Sequence, residues 1–147
     1  MPTSVETRIH ARCRYYRTVC HLPCSVDDAG RIVVTLAAGL RALTTTQRLG
    51  AELQIRLLAA GCAGPSIWHR SRRYTFLATY SPGIENDHYY RAGLLATNSL
   101  IVGPGATIAL PSPGADADYH RWIQPAHNTF RPSIRTVLDT LLDCGRS

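Results

Sequence analysis

The sequence predicts a single α+β domain with a mostly antiparallel sheet and about three packed helices. Three observations predict it: short β-branched or aromatic runs alternate with helical periodicity, turn signals let neighbouring runs pair as hairpins, and no repeat or linker divides the 147 residues. A chain near this length buries roughly 68–70% of its unfolded surface, which is enough for one core. We assign residues 25–147 to this domain and residues 1–24 to an N-terminal arm or helix.

The N-terminal segment is ambiguous. Apolar side chains in residues 1–24 fit a helical stripe only loosely, so a helix, a strand and a disordered arm all remain open. Arginines are spread along this segment, and it lacks the uninterrupted apolar stretch of a signal peptide, so we expect a cytoplasmic protein. No apolar run approaches the ~18 residues of a membrane span, so we expect no membrane association.

The first regular elements are a strand and a helix. Residues 31–37 are β-branched and apolar, which predicts a largely buried strand. Residues 46–60 carry leucines every three to four residues, which predicts an amphipathic helix. Thr44 and Gln47 have the spacing of a capping box at its start, and Gly61 is placed to adopt the left-handed conformation at its end.

Residues 66–80 predict a β-hairpin with its turn at Arg70-Ser71-Arg72. Alternation places Tyr74 and Phe76 on one face of the second strand. Residues 85–96 predict a helix that packs through Tyr89, Leu94 and Leu95. Strands follow over 99–102, 106–110 and 119–124. Residues 133–144 predict a last helix that begins after Pro132, ends at Gly145 and packs on the core through Ile134, Val137, Leu138, Leu141 and Leu142.

The charge balance points to anionic partners. All 16 basic residues are arginine, and the formal net charge is +6. Each positive charge is therefore a planar fork that suits two-point contact with phosphate or carboxylate and stacking on rings. A basic protein of this kind favours nucleic acid, nucleotides or an acidic protein surface as partner, and the oligomeric state stays undetermined.

An arginine cluster at the predicted hairpin turn is the main candidate site. Three guanidinium groups on one tight turn repel one another unless an anion joins them, and phosphate fits that role. Aromatic side chains on the adjoining strands can stack on exposed bases. The candidate nucleic-acid-binding residues are Arg70, Arg72, Arg73, Arg121, Trp68, Tyr74 and Trp122.

Other chemistry has weaker support in the sequence. Five irregularly spaced cysteines without an export signal are typical of free thiols in a reducing compartment. The donors His10, Cys13, Cys20, His21 and Cys24 include zinc-binding types, but their spacing is unsuited to a zinc site. Asp116 and Asp118 could hold metal ions for phosphoryl transfer, although they lie in a Pro/Gly-rich loop where aspartates are common turn residues. We predict no catalytic residue, no metal and no cofactor.

The segments Arg70-Ser71-Arg72-Arg73-Tyr74, Ala109-Leu110-Pro111-Ser112-Pro113 and Tyr119-His120-Arg121-Trp122 resemble the N-terminal primase–polymerase domain of bifunctional DNA primase/polymerases, in the archaeo-eukaryotic primase superfamily. The resemblance covers roughly residues 30–143 and is closest to short stand-alone bacterial forms. It implies a phosphate-contacting turn at the first segment. The family's Asp-x-Asp metal motif is missing from the corresponding strand, Ile32–Leu36, and no His follows Ser71. The resemblance therefore implies a shortened, non-catalytic relative.

Three hypotheses follow. The first is a non-catalytic domain that binds nucleic acid or nucleotide through its arginines. The second is a protein-interaction or regulatory module whose arginines meet an acidic protein surface, because arginine and aromatic residues also mark protein interfaces. The third is a metal-dependent nucleotidyl transferase or nuclease that uses Asp116 and Asp118.

Overall fold

The computed structural model describes residues 3–114 and 119–146, which form an α+β fold. Its helices are α1 (Ser4–Thr18), α2 (Gln47–Ala59), α3 (His88–Ala96) and α4 (Ile134–Gly145). Its strands are β1 (Cys24–Val26), β2 (Ile32–Thr35), β3 (Leu40–Thr46), β4 (Ser66–His69), β5 (Arg73–Thr79), β6 (Leu100–Val102), β7 (Thr107–Ala109) and β8 (His120–Gln124). The predicted fold class is confirmed, with α1 as a helix beyond the predicted three.

The strands form two antiparallel sheets. A five-stranded sheet has the order β6-β3-β5-β4-β8, and a three-stranded sheet has the order β1-β2-β7. Every pairing within the two sheets is antiparallel. The Gly103–Gly105 turn therefore does not close a hairpin, because β6 continues the larger sheet while β7 joins the smaller one.

Two apolar cores cover the two faces of the five-stranded sheet. Phe76 and Leu43 lie on the face that packs against α2, α3 and α4. Ile67 and Leu77 lie on the opposite face, which packs against α1 and the three-stranded sheet. The larger sheet is thus the central layer of the molecule, and one end of it carries the hairpin turn.

The N-terminal segment forms a capped helix that belongs to the second of these cores. Thr3 and Glu6 make a capping box at its start, with bonds of 3.0 and 3.2 Å. Ile9, Cys13 and Tyr16 form its buried stripe. This spacing of three to four residues places α1 against the smaller sheet with one face.

The start of α2 differs from the prediction, and its end agrees with it. Thr46 is the N-cap, and its hydroxyl accepts the amide three residues on at 3.3 Å. Thr44 cannot cap because β3, which was not predicted, runs up to the helix. Gly61 has φ of +70°, as predicted, and Cys62 N donates to Leu57 O at 3.0 Å in a Schellman closure.

The predicted packing face of α3 is wrong for Tyr89 and Leu95, whereas Leu94 packs against the helical core as predicted. Leu95 is 84% exposed and Tyr89 52%, whereas Tyr90 is buried. The helix begins at His88, later than predicted, and Gly93 lets it approach Leu142 of α4 so closely that an added Cβ would lie 2.5 Å from the leucine side chain. The face of α3 that carries Tyr90 and Gly93, which are three residues apart, therefore faces the core.

The last helix agrees with the prediction on its core face. All five predicted core residues of α4 are buried: Ile134, Val137, Leu138, Leu141 and Leu142. Ser133 caps its first turn by accepting the Thr136 amide at 3.1 Å. Gly145 was predicted to stop the helix but is its last residue, and Arg146 is the C-cap.

Candidate nucleic-acid interface

The predicted hairpin is confirmed as β4 and β5, which the turn Arg70-Ser71-Arg72 joins. Arg72 N donates to His69 O at 2.9 Å and closes the turn. Arg72 adopts a left-handed conformation with φ of +65°, which glycine tolerates better than arginine does. The turn holds Arg70 and Arg72 exposed at the end of the sheet.

Strand β8 brings a second group of polar and aromatic side chains to the same end. It pairs with β4, with Trp68 opposite Arg121 and His69 opposite His120. Arg70 N extends the pairing by donating to the Tyr119 carbonyl at 2.8 Å. The turn and the beginning of β8 therefore form one surface.

An open pocket of about 400 Å³ lies at this end of the sheet. Its wall is basic, aromatic and polar: Arg31, His69, Arg70, Ser71, Tyr119 and His120. Arg31 directly precedes β2 of the smaller sheet, so the pocket lies where the two sheets meet. We call it the turn pocket.

A histidine pair forms one side of the turn pocket. His69 Nδ1 lies 2.8 Å from His120 Nδ1, so one of these nitrogens donates a hydrogen bond to the other. His69 Nε2 lies 2.6 Å from Oγ1 of buried Thr75. Burial, together with the positive potential from His120 and Arg73, lowers the pKa of His69 to about 4. His69 is therefore neutral at pH 7, and Arg31 and Arg70 contribute positive charge to the pocket.

The arginines around the turn have no carboxylate partner in the described part of the chain, except for Arg31. That residue pairs with Asp27 at 3.0 Å. Within residues 3–114 and 119–146, no ion pair involves Arg70, Arg72 or Arg121. Arg70 instead lies over the exposed Tyr119 ring at 5.2 Å. These guanidinium groups keep most of their donors available for an anion.

Arg73 is held more firmly than the turn arginines. Its Nη2 donates to Thr44 Oγ1 at 3.2 Å and to the Asn98 carbonyl at 3.0 Å. The side chain is half-buried on the same face of the sheet as His69. Arg73 therefore shapes the potential around the turn pocket while bonded within the protein.

Three of the predicted residues lie on the other face of the sheet, beside α2. Arg121 lies over the Trp68 ring at 4.3 Å, and Trp68 Nε1 donates to Gln47 Oε1 at 3.1 Å. Tyr74 packs on α2 so tightly that a Cβ added at Gly50 would lie 2.5 Å from its ring. Trp68 thus already has a cation on one face, and Tyr74 is packed against the helix.

Trp122 lies away from this group, on the face of β8 that looks toward α1. Its Nε1 donates to Tyr16 Oη at 3.0 Å, and the Tyr16 hydroxyl donates to the Pro111 carbonyl at 2.9 Å. The seven predicted residues therefore divide between the two faces of the sheet. Only Arg70 lines the turn pocket itself.

Five residues of the pocket were missed as binding residues: Arg31, His69, Ser71, Tyr119 and His120. His69 and His120 are each adjacent to a predicted residue in the chain. Alternation along β8 places the His120 side chain on the opposite face from Arg121. The signal that was lacking is the β4–β8 register, which sets the two histidines opposite each other. Arg31 comes from another sheet and has no local signal.

The described part of the structure does not support a metal site. Among the described residues, no three His, Cys, Asp or Glu side chains gather as metal ligands. Cys13 and Cys24 lie with their Sγ atoms 3.6 Å apart, and all five cysteines are free thiols. Asp116 and Asp118 lie outside the described residues.

Comparison with family models, with curated proteins and with solved structures gives no match for this chain. Among the described residues, no helix has the length and apolar character needed to cross a membrane. The residues and geometry of the turn pocket therefore carry the functional inference.

Proposed function

We propose that the protein binds nucleic acid or nucleotide phosphate groups at the turn pocket and performs no chemistry on them. The observation that carries this proposal is the exposed pair Arg70 and Arg72, which have no ion-pair partner among the described residues and stand beside an open pocket. Like charges on one short turn repel each other, and a bound phosphate removes that repulsion.

The stacked pair Arg70 and Tyr119 supports a nucleic-acid ligand over a simple inorganic anion. Tyr119 is 49% exposed, so its ring has area left for a base. An aromatic ring with an arginine beside it offers stacking to a base and charge to the neighbouring phosphate. Ser71 adds a hydroxyl group to the same pocket.

The resemblance to a shortened primase–polymerase domain belongs to the same proposal. It assigns the turn to phosphate contact, and the exposed Arg70 and Arg72 are consistent with that role. Strand β2 stands where the resemblance implies a metal-binding strand, and its Ile-Val-Val-Thr sequence contains no acid. That composition supports a binding role over metal-dependent phosphoryl transfer, which needs carboxylates to hold its ions. We also propose a cytoplasmic location, because free thiols such as these five are typical of a reducing compartment.

The test is fluorescence polarisation with a labelled single-stranded oligonucleotide at 50 to 300 mM salt. The variant Arg70→Gln/Arg72→Gly removes both exposed charges, and glycine suits the left-handed position of residue 72. We expect the variant to bind on the order of 10- to 100-fold more weakly at 50 mM salt, because it loses two phosphate contacts. The slope of log K against log salt should fall by about 1.4, at ~0.7 per phosphate on a single strand.

The control is Arg17→Gln/Arg91→Gln, which loses the same charge at two exposed positions outside the turn pocket. Near-wild-type affinity in the control beside a large loss in the turn variant supports the proposal. Equal losses in both variants would mean that net charge alone attracts the ligand. Absence of binding by the wild type at 50 mM salt would refute the proposed function.

A protein partner is the second candidate, and a specific surface favours it. Leu95 on α3 is 84% exposed and Leu100 on the edge strand β6 is 59% exposed. Exposed apolar side chains near an open strand edge are typical of protein-binding surfaces. A pull-down that returns one stoichiometric protein after nuclease treatment, lost on Leu95→Ser/Leu100→Ser, would support this candidate.

A further inference from the structure

We infer that the nucleic-acid site continues from the turn pocket along β8 into a groove beside α1, and that its ligand is a single strand several nucleotides long. This inference rests on the proposed function and extends it. It adds Arg8, Arg12, Tyr15 and Trp122 as a second group of contacts, of which only Trp122 was predicted from the sequence.

The groove consists of two adjoining open cavities along α1. One has a volume of about 560 Å³ and is lined by Arg8, Arg12 and Tyr15. The other has a volume of about 360 Å³ and is lined by Trp122 in addition to Arg12 and Tyr15. The shared residues make the two cavities one continuous groove, which we call the α1 groove.

Strand β8 connects the α1 groove to the turn pocket. His120 lines the turn pocket and Trp122 lines the α1 groove. Residues two apart on a strand point to the same face and lie ~6.5 Å apart. An oligonucleotide that leaves the turn pocket along this face of β8 therefore reaches Trp122 within about one nucleotide.

The α1 groove repeats the chemistry of the turn pocket. Arg12 lies over the Tyr15 ring at 5.5 Å, as Arg70 lies over Tyr119. Arg8 and Arg12 are one helical turn apart and therefore stand on the same side of α1, ~6 Å apart along the axis. No described acidic side chain lines either cavity. The groove thus offers rings for bases and two cations for successive phosphates.

The aromatic floor of the α1 groove is rigid. Trp122 packs edge-on against buried Tyr16 with 5.8 Å between ring centroids, and its Nε1 bonds the Tyr16 hydroxyl. A ring held in this way loses little conformational freedom when a base stacks on it. Bases inside a duplex are already stacked and paired, so a groove of this kind selects an unpaired strand.

The test compares labelled dT4, dT12 and a 12-bp duplex by fluorescence polarisation. The groove variant is Arg8→Gln/Arg12→Gln, which keeps good helix formers on α1. Its matched control is Arg14→Gln/Arg17→Gln, which removes the same charge from exposed positions of the same helix that line neither cavity. We expect the wild type to prefer dT12 over both other ligands, and the groove variant to lose on the order of 10-fold for dT12.

Intrinsic fluorescence gives an independent readout. The chain has two tryptophans, so Trp68→Phe leaves Trp122 as the sole tryptophan. We expect dT12 to quench Trp122 emission in this variant, because a stacked base lies against the ring.

The outcomes separate the inference from the function on which it rests. If Arg70→Gln/Arg72→Gly weakens binding while the groove variant matches its control and Trp122 emission is unchanged, the proposed function stands and the extended site is refuted. If the groove variant alone weakens binding, the turn-pocket function fails. Equal affinity for dT12 and duplex would also overturn the single-strand assignment.

Discussion

Replacing Phe76 with alanine should lower the free energy of unfolding by about 3–5 kcal/mol, the usual cost of truncating a large buried ring. Phe76 is 2% exposed on the central strand β5. It belongs to the core between the five-stranded sheet and helices α2 and α4. Chemical denaturation with urea measures the change directly.

The control for this prediction is Tyr80→Ala, just beyond the end of β5. Tyr80 is 40% exposed and lies beside Arg41 at 4.8 Å from ring centroid to guanidinium carbon. We expect a cost below ~1 kcal/mol, because an exposed cation–π contact contributes little. Similar costs at both positions would contradict the assignment of this sheet face to the helical layer.

Acidification should destabilise the protein through His69. The pKa of this histidine is about 4 in the folded protein against 6.5 for the free side chain, because of burial and the nearby His120 and Arg73. Between these values the unfolded chain binds a proton that the folded protein does not. The stabilising contribution is therefore complete above pH 6.5 and is lost as the pH falls toward 4, by up to roughly 3 kcal/mol.

The measurement is urea unfolding of wild type and His69→Gln at pH 7, 5.5 and 4. Glutamine keeps a hydrogen-bonding group near Thr75 but does not titrate, so the variant should lose less stability on acidification. His127→Gln, at an exposed histidine, should keep the wild-type profile. Identical pH profiles for wild type and His69→Gln would contradict the buried, neutral state of His69.

Local patterns predicted the elements whose determinants lie close together in the chain. The β4–β5 turn and the five buried residues of α4 follow from alternation and helical spacing. The sequence did not predict β1 or β3. Strand β3 reads Leu-Arg-Ala-Leu-Thr-Thr-Thr, and its Leu-Thr-rich end runs into α2 without a turn signal. Its place between β6 and β5 supplies the pairing that makes it a strand.

The candidate site was predicted only in part for the same reason. Arg70 and Arg72 are adjacent to the turn signal, so their exposure follows from local sequence. Trp68 and Tyr74 were expected to be available rings, but Arg121 lies over the Trp68 ring and α2 packs on Tyr74, and only the tertiary fold determines these contacts. Arg31 lines the pocket because the two sheets meet there, and no local sequence pattern predicts that meeting.

The most direct test of the central claim is an amide chemical-shift titration of the protein with a short single-stranded oligonucleotide. We expect the largest shifts on Arg70, Ser71, Tyr119 and His120, around the turn pocket, and we expect the amides of α3 and α4 to stay in place. Shifts concentrated on α3 and the edge strand β6, or no shifts at oligonucleotide concentrations that saturate polarisation, would contradict it.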